Sequence, residues 1–532
     1  MEENSENKAA STETLLSHSH SKDNSEIRKD KIKDWLKDPY NLILLGLIIF
    51  AITIRIYVFT LTINQPLWWD EGEYGLKAKS FAFGTPSNGW YGAREVVVPF
   101  IFSLIFRFGG TEVAVRFLQF LVSAITVLLV YLLTKKMFDK SIALIATAIM
   151  SVNAVHLFFT GRLLTYLWAP MFFLLTFYLF YEGYVAKKGK KYLYSCPVVA
   201  ALGISTYGSL AFGILAIALF LLITERFNFL KKKEIWLMAL IGFLCLLPQF
   251  IYSKIVYGVF VARWAGLQSS RPPANFSLIF DYFKLMPHLF GVVFTFIIAL
   301  SLIYILLILV SSLKILSKNQ SKTLNAYLLI TLWAICIFGF YTYISVGWGV
   351  TYDGFVLSLL PVLAIIGAIG INLVFTIKFD KKFLTAIILL IVLVGGYYQI
   401  TYADSMIKGK LTSFDSVKFA GEWIKAHSNT GDIIISASLP QIVYYSERET
   451  HPYLITQTTK DDPVARTTED DFNKFFKETK PKYITDSIWE YVPQWVHEYP
   501  AKHNSTLIPV QVYYLDAAKT QPSMIIYQVK YS

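Results

Sequence analysis

Long apolar runs separated by short polar stretches fill the chain between residues 40 and 402. A helix that crosses a bilayer needs roughly 20 mostly apolar residues. The pattern therefore predicts eleven transmembrane helices, which start near Tyr40, Thr111, Ser141, Tyr166, Tyr192, Tyr207, Trp236, Pro287, Leu324, Gly354 and Phe383. One further run, residues 96–108, is apolar but short and contains Pro99 and Arg107. We predict that it forms a helix at the membrane interface, because interfacial helices have this character.

The two ends of the chain have a different pattern. Residues 1–38 are a polar tail with a basic flank and lack the apolar core of a signal peptide, so we expect a disordered cytoplasmic segment. Residues 403–532 alternate helical and strand-like stretches, which predicts a small α/β domain. These stretches are FDSVKFAGEWIKAHS, DIIISA, TTEDDFNKFFKETK, PVQVYYL and MIIYQV. The expected fold is thus a polytopic α-helical membrane domain, residues 39–402, followed by an α/β domain, residues 403–532.

The charge pattern sets the expected orientation. A formal net charge of +12 raises the question of nucleic-acid binding, but 55% of the residues are hydrophobic. The lysines and arginines fall in short clusters after every second predicted helix, at residues 29–33, 135–140, 187–191, 226–233, 314–322 and 378–382. Such clusters mark the cytoplasmic side of a membrane protein. We therefore expect no nucleic-acid partner, a cytoplasmic N-terminus and, after eleven crossings, an extracytoplasmic α/β domain.

The large loop at residues 63–110 carries the candidate chemistry. Its segment LTINQPLWWDEGEYG places Asp70, Glu71 and Glu73 directly after Trp68 and Trp69. Tryptophans settle at the membrane interface, so this pair would hold Asp70 at a fixed depth near the apolar region. A poorly hydrated carboxylate can serve as a general base. The alternative is a set of ordinary solvated loop acids beside an aromatic belt.

These residues also carry a family resemblance. The loop motif WWDE is followed by FRFGGTEVAVRFLQF, NAVHLFFTGRLLTYLWAPMFFLLTFYLFY and, near the C-terminus, GEWIKAHSNTGDIIISASLPQIVYYSERET. The order of these segments resembles the membrane glycosyltransferases of the GT-C class. Within that class it is similar to the group of the protein O-mannosyltransferases and the lipid A aminoarabinose transferases. The resemblance implies the GT-C fold for nearly the whole chain after Trp35.

The resemblance also implies an activity and a site. Enzymes of this group move a sugar from a polyprenyl-phosphate donor to a protein or glycolipid acceptor on the outer face of the membrane, with inversion at the anomeric carbon. Asp70 would take the proton from the acceptor, and Glu71 would assist or orient it. A leaving phosphate needs fixed positive charge, preferably a guanidinium. Arg94 is the first candidate for that role and Arg162 the second, with snorkelling to the interface as the alternative for Arg162.

Further residues are accessory candidates. Glu73 stands where some relatives have a basic residue, so it could face the acceptor instead. Arg263 and Arg271 lie in a second large loop, where they could meet the donor or close over it; the alternative is that they are solvated loop residues. Some relatives carry a second acid shortly after the Arg162 position, where this chain has Thr165 and Tyr166. Asp353 could replace that acid in space, or it could pair with an arginine. We expect no tightly bound cofactor; some relatives bind a divalent metal, so that option stays open.

Two other classes of function compete with this hypothesis. A transporter or a flippase for lipid-linked glycans would use the same charges to gate a pathway, but it should show internal repeats and charged or broken helices near mid-membrane. This sequence shows no convincing repeat, and its charges gather at the outer edge. A non-catalytic scaffold would keep the fold alone. The short loops and the C-terminal segment favour the cell membrane of a prokaryote, and the sequence names neither the sugar nor the acceptor.

Overall fold

The structure, a computed structural model, describes residues 33–92, 94–261, 272–312, 321–455 and 465–531. Residues 1–32, and with them most of the predicted polar tail, lie outside these ranges. The helices of the membrane domain are α1 (Pro39–Thr62), α2 (Trp69–Phe83), α3 (Val97–Arg107), α4 (Glu112–Met137), α5 (Lys140–Val152), α6 (Ala154–Phe159), α7 (Trp168–Phe180), α8 (Lys190–Ile204), α9 (Leu210–Glu225), α10 (Lys233–Tyr257), α11 (Asp281–Ser311), α12 (Lys322–Trp348), α13 (Leu360–Asn372) and α14 (Lys381–Lys408).

Eight of the predicted transmembrane helices are long and apolar enough in the described residues to cross a membrane. They correspond to α1, α4, α10, α12 and α14, and to α9, α11 and α13 together with the 3-10 turns that adjoin them. The other three predicted starts, Ser141, Tyr166 and Tyr192, fall at the shorter helices α5, α7 and α8, which have 13, 13 and 15 residues. The chain is an integral membrane protein, and the count of eleven crossings stays a prediction.

Local sequence signals explain where several of these helices begin. Side chains of Asp38, Asp139, Ser321 and Asp380 cap the first turns of α1, α5, α12 and α14 by accepting hydrogen bonds from backbone N–H groups. A capped start satisfies donors that would otherwise be unpaired at the helix end. The predicted interfacial segment forms a short helix, α3, with 11 residues, and its place at the membrane interface stays a prediction. The bundle is packed around α5 and α13, nearly all of whose side chains are buried.

The C-terminal part is an α/β domain, as the sequence predicts. Its elements are α15 (Asp415–His427), β1 (Ile434–Ser436), α16 (Leu439–Ser446), β2 (Thr450–His451), α17 (Glu469–Thr479), β3 (Tyr483–Ser487), α18 (Gln494–Lys502), β4 (Leu507–Tyr514) and β5 (Pro522–Val529). The sheet order is β2-β1-β3-β5-β4. The strand β1 is parallel to β2 and β3, whereas β5 is antiparallel to β3 and β4.

Alternating side chains of β1 bury the two faces of this sheet. Ile434 packs with Val417 and Ile424 of α15, whereas Ile435 packs on the other face with Phe472 and Phe476 of α17. Successive residues of a strand point to opposite faces, so one short strand contributes to both cores. The domain is therefore a sheet between two helical layers.

The C-terminal domain is joined to α2 through α16. A Cβ added at Gly75 would lie 2.8 Å from the Tyr444 ring, and one at Gly72 would lie 3.1 Å from the backbone nitrogen of Gln441. Only glycine allows so close an approach. The Tyr445 hydroxyl accepts a hydrogen bond of 2.9 Å from the backbone N–H of Leu67, just before α2. The α2 helix, with its three acids, is thus fixed from one side by the C-terminal domain.

Candidate active site

The helix α2 begins at the WWDE motif and separates its two tryptophans. Trp68 is the N-cap, and Glu71 accepts a hydrogen bond of 3.1 Å from its backbone N–H, as in a capping box. The Trp68 ring lies 3.7 Å from the guanidinium carbon of Arg162, inside the protein. Trp69 is 38% exposed, and its indole N–H donates to Glu73 at 2.9 Å. The two rings therefore do not form a single interfacial anchor, because they point to different environments.

Asp70 is the most accessible of the three acids, with 33% of its side chain exposed. Arg94 donates from a terminal nitrogen to its Oδ1 at 2.6 Å, and the Tyr166 hydroxyl donates to its Oδ2 at 2.8 Å. Hydrogen bonds to the charged form of a carboxylate stabilise that form. Asp70 is thus an oriented carboxylate whose remaining lone pairs can accept a proton.

Arg94 connects Asp70 to a second carboxylate. Its Nε contacts Glu73 in a short ion pair, and the Tyr74 hydroxyl lies 3.5 Å from another of its nitrogens. Asp70, Glu73 and Tyr74 share one face of α2, because residues three and four apart on a helix are neighbours. The Arg94 side chain is 21% exposed, so part of its guanidinium stays open to solvent or to a ligand.

Glu73 is an unusual acid because it is buried beside an arginine. Burial raises the pKa of Glu73 to about 7, although the Arg94 charge opposes the shift. A carboxyl group with such a pKa is partly protonated near neutral pH. A protonated Glu73 does not offset the positive charge of the Arg94 guanidinium. That charge is available to Asp70 and to an anionic ligand.

Glu71 points about 100° away from Asp70 around α2 and has no exposed surface. Its oxygens accept from the Leu163 backbone N–H at 2.9 Å and from Arg162 at 3.2 Å, in addition to the bond from Trp68. A nitrogen of Arg116 lies 3.9 Å away. The predicted catalytic partner of Asp70 is therefore surrounded by protein donors. Its contacts are those of an acid that ties α2 to the turn formed by residues 160–167.

Arg162 is brought to the acid cluster, but on the buried side. It is 1% exposed, paired with Glu71 and stacked on Trp68, with Phe158 at 4.6 Å. This arrangement does not match the predicted alternative of snorkelling, since the guanidinium does not reach the surface. Its guanidinium therefore offers almost no exposed surface to a ligand. In this structure Arg162 supports Glu71.

Two residues that the sequence analysis did not single out hold this turn in place. Arg116 of α4 donates to the carbonyl oxygens of Gly161 and Gln65, at 3.0 and 2.6 Å, and pairs with Glu112 at 2.6 Å. The amide of Gln119, one turn further along α4, donates to two carbonyl oxygens of the turn. A glutamate and an arginine four residues apart on a helix are a recognisable sequence signal. Their link to the acidic loop is a tertiary feature.

The remaining accessory candidates are Asp353, Arg263 and Arg271. Among the described residues, Asp353 pairs with a histidine: its Oδ2 lies 2.9 Å from His288 Nε2. The neighbouring Tyr352 ring contacts the Tyr166 ring at a centroid distance of 5.9 Å, so this segment borders the site. Arg263 and Arg271 lie outside the described residues.

The arrangement does not fit a metal centre. Within residues 33–531, apart from the gaps given above, no group of three or more His, Cys, Asp or Glu side chains could hold a metal ion. Both oxygens of Asp70 are engaged by the donors Arg94 and Tyr166, and donors compete with a cation. The expectations about cofactors stay untested, and no step below uses a metal.

Comparisons with known proteins show which families and structures this chain resembles. The family model for dolichyl-phosphate-mannose-protein mannosyltransferase matches residues 94–252. The structure of ArnT from Cupriavidus metallidurans bound to undecaprenyl phosphate superposes with a TM-score of 0.62, covering 90% of this chain and 98% of that chain at 12% sequence identity. The chain has the fold of the GT-C glycosyltransferases. Together, the matched segment and the fold indicate a membrane glycosyltransferase that resembles protein mannosyltransferases and ArnT.

Two further structures share the GT-C fold. One is the oligosaccharyltransferase of Archaeoglobus fulgidus tethered with an acceptor peptide containing the NVT sequon, with a TM-score of 0.59 at 15% identity, covering 92% of this chain and 74% of that chain. The other is AglB from the same organism in complex with an inhibitory peptide and a dolichol-phosphate, with a TM-score of 0.58 at 14% identity, covering 91% and 74%. No curated protein sequence matches the chain. Arg94 and Arg162 fall inside the family match, whereas Asp70, Glu71 and Glu73 precede it.

Proposed function

We propose that this GT-C glycosyltransferase moves a sugar from a polyprenyl-phosphate donor to a protein or glycolipid acceptor, with inversion at the anomeric carbon. The observation that carries the proposal is the Asp70 carboxylate, which is partly exposed, oriented at both oxygens and joined to Arg94. A base and a cation side by side are what such a displacement requires.

The chemical step follows from these positions. Asp70 takes the proton of the acceptor O–H or N–H group as that atom forms a bond to the anomeric carbon. The bond between the anomeric carbon and the phosphate oxygen breaks, and its electrons stay on the polyprenyl phosphate. Arg94 stabilises the charge of the leaving phosphate, because a guanidinium can bind two phosphate oxygens. No oxidant, reductant or metal is needed for this balance.

Glu71 and Arg162 have a different role in this proposal from the one that the resemblance implied. Because Glu71 is fully buried and Arg162 is 1% exposed, neither can contact a substrate without leaving its partners. We assign them to positioning: their pair ties the amino end of α2 to the turn that carries Tyr166. Glu73 positions Arg94, and Asp353 stays an accessory candidate because Tyr352 beside it borders the site.

The neighbours support the class of donor. ArnT was solved with undecaprenyl phosphate and AglB with a dolichol-phosphate, both of which are polyprenyl-type lipid phosphates. The helix α4 supports the proposed orientation: it contacts the site through Arg116 and ends at Lys135 and Lys136. Its 26 residues span about 39 Å, which separates the acids from that lysine cluster by a membrane thickness. With lysines on the cytoplasmic side, the site and the C-terminal domain face outward, in the cell membrane of a prokaryote.

The test uses the purified full chain in liposomes with a panel of radiolabelled polyprenyl-phosphate sugars and a native membrane extract as acceptor. The expected result is a labelled protein or glycolipid together with free polyprenyl phosphate. Movement of the labelled lipid between leaflets without release of polyprenyl phosphate would instead identify a flippase. Neither transfer nor movement, with folded protein and a complete donor panel, would favour a scaffold.

A further inference from the structure

The Tyr166 hydroxyl supplies the second hydrogen bond to Asp70. It donates to Oδ2 at 2.8 Å, while Arg94 occupies Oδ1. The two donors come from separate parts of the chain: Arg94 from the loop before α3, and Tyr166 from the turn before α7. Asp70 itself starts a third element, α2. The orientation of the carboxylate therefore depends on how these three segments are packed.

Tyr166 is held rigidly in its turn. It is 4% exposed, and its ring makes edge-to-face contacts with Phe159, Tyr207, Tyr352 and Phe355 at centroid distances of 5.6, 5.8, 5.9 and 6.1 Å. The backbone next to it is fixed because Gln119 donates to the Leu164 carbonyl oxygen at 2.6 Å. A ring enclosed on several sides cannot swing away from its partner. The hydroxyl therefore has one position, and that position is on Asp70.

Tyr166 can only donate in this environment. Burial, together with the nearby Asp70 charge, raises the pKa of Tyr166 well above its usual range, so the hydroxyl keeps its proton. A neutral donor stabilises a carboxylate without neutralising it, unlike a second acid, which would share its proton or repel it. Asp70 thus has a permanent hydrogen-bond donor at its Oδ2.

We propose that Tyr166 is the positioning residue of the general base: its hydroxyl fixes the Asp70 carboxylate in the charged, correctly rotated state that accepts the acceptor proton. The inference rests on the proposed function of Asp70. Tyr166 is not itself a catalytic residue, since it is almost fully buried and acts through Asp70. It sets how fast the proton is taken and at which pH, and it leaves donor binding to Arg94.

The other charged or titratable groups around Asp70 limit how a pH effect can be interpreted. Arg94 contacts it directly, Glu73 lies behind Arg94 on the same helix face, and the Tyr74 hydroxyl is near Arg94. Tyr352 faces it from the segment that carries Asp353. Of these groups, Glu73 titrates near neutral pH. If removing the Tyr166 hydroxyl shifts the pH profile through Asp70, the same shift must also appear when Glu73 is replaced by Gln.

The experiment compares wild type with Tyr166→Phe in the transfer assay across pH. A hydrogen bond to a charged group contributes roughly 1.5–3 kcal/mol, which corresponds to about a ten- to hundredfold loss. We expect kcat to fall by about this factor with an unchanged KM for the donor, and the acid limb of the profile to move to higher pH. The same shift is expected in a Glu73→Gln background. The control is Tyr181→Phe, which removes another buried hydroxyl 15 residues further along, about 20 Å away.

A double variant makes the test independent of folding. If Tyr166 acts through Asp70, then Asp70→Asn with Tyr166→Phe is no slower than Asp70→Asn alone. A Tyr166→Phe enzyme with wild-type kcat and pH profile would overturn the inference, and so would a further additive loss in the double variant. If Asp70→Asn itself transfers like wild type, the proposed function of Asp70 fails, and that result is separate from the failure of Tyr166.

Discussion

The buried pair of Glu71 and Arg162 gives the sharpest prediction about structure as opposed to chemistry. The change is Glu71→Gln, which keeps the size of the side chain and removes its charge. Glu71 accepts from two backbone N–H groups and from Arg162. Glutamine can serve only part of this set with its single oxygen, and it leaves the Arg162 charge buried without a counter-charge.

The size of the effect follows from this geometry. Removing one partner of a buried ion pair costs about 3–5 kcal/mol. Replacing both charges is much milder, so Glu71→Gln combined with Arg162→Met should cost about 1–2 kcal/mol, mainly for a backbone N–H without an acceptor. Methionine keeps the apolar contacts that Arg162 makes with Trp68 and Phe158. The double variant should therefore be about 2–3 kcal/mol more stable than Glu71→Gln alone.

The free energy of unfolding is measured by SDS titration in mixed micelles, with tryptophan fluorescence as the signal, and sugar transfer is measured in parallel. We expect Glu71→Gln to lose stability and transfer together, and the double variant to regain most of both. A Glu71→Gln protein that keeps wild-type stability but has lost transfer would contradict a purely structural role for Glu71. Glu71 would then have the catalytic role that the family resemblance implied.

Two further predictions concern α2. Gly75→Ala should lower the melting temperature of the detergent-solubilised protein, because its Cβ would lie 2.8 Å from the buried Tyr444 ring and overpacking typically costs about 1–3 kcal/mol. The matched control is Gly46→Ala, whose Cβ would have no atom within 4 Å. Equal melting temperatures for the two variants would argue against the tight contact at Gly75. Burial raises the pKa of Glu73 to about 7 from its usual 4.5. Between pH 4.5 and 7 the folded chain therefore binds a proton at Glu73 that the unfolded chain has lost, so stability falls as the pH rises through this window. Glu73→Gln should remove this decline, which melting at pH 5 and pH 8 will measure; a decline of the same size in the variant would assign it to another group.

The hydrophobic pattern predicted most of the helices because apolar length is a direct requirement of the bilayer. It could not settle the short helices α5, α7 and α8, because they have only 13 to 15 residues, fewer than a full crossing needs. In the C-terminal domain the period of alternation predicted α15, α17 and both long strands. It missed α16, whose segment LPQIVYYS is buried on every side and so lacks an amphipathic pattern.

The acidic motif identified the site but not the roles of its residues. Asp70 and Glu71 are neighbours in sequence, yet on a helix they point about 100° apart, so one meets Arg94 and the other Arg162. Only the packing of α2 decides which acid is accessible. Tyr166 lies 96 residues after Asp70, and no local pattern links them. The one sequence signal for Tyr166 was a departure: a tyrosine near the place where some relatives have an acid.

The central claim is that Asp70 is the base of a polyprenyl-phosphate-dependent sugar transfer. The most direct test is single-turnover transfer by wild type and Asp70→Asn at saturating donor, with Asp470→Asn, an exposed acid of the C-terminal domain, as the control. We expect Asp70→Asn to bind the donor but to transfer roughly a hundredfold more slowly or worse, whereas Asp470→Asn should match wild type. Equal rates for all three proteins would contradict it.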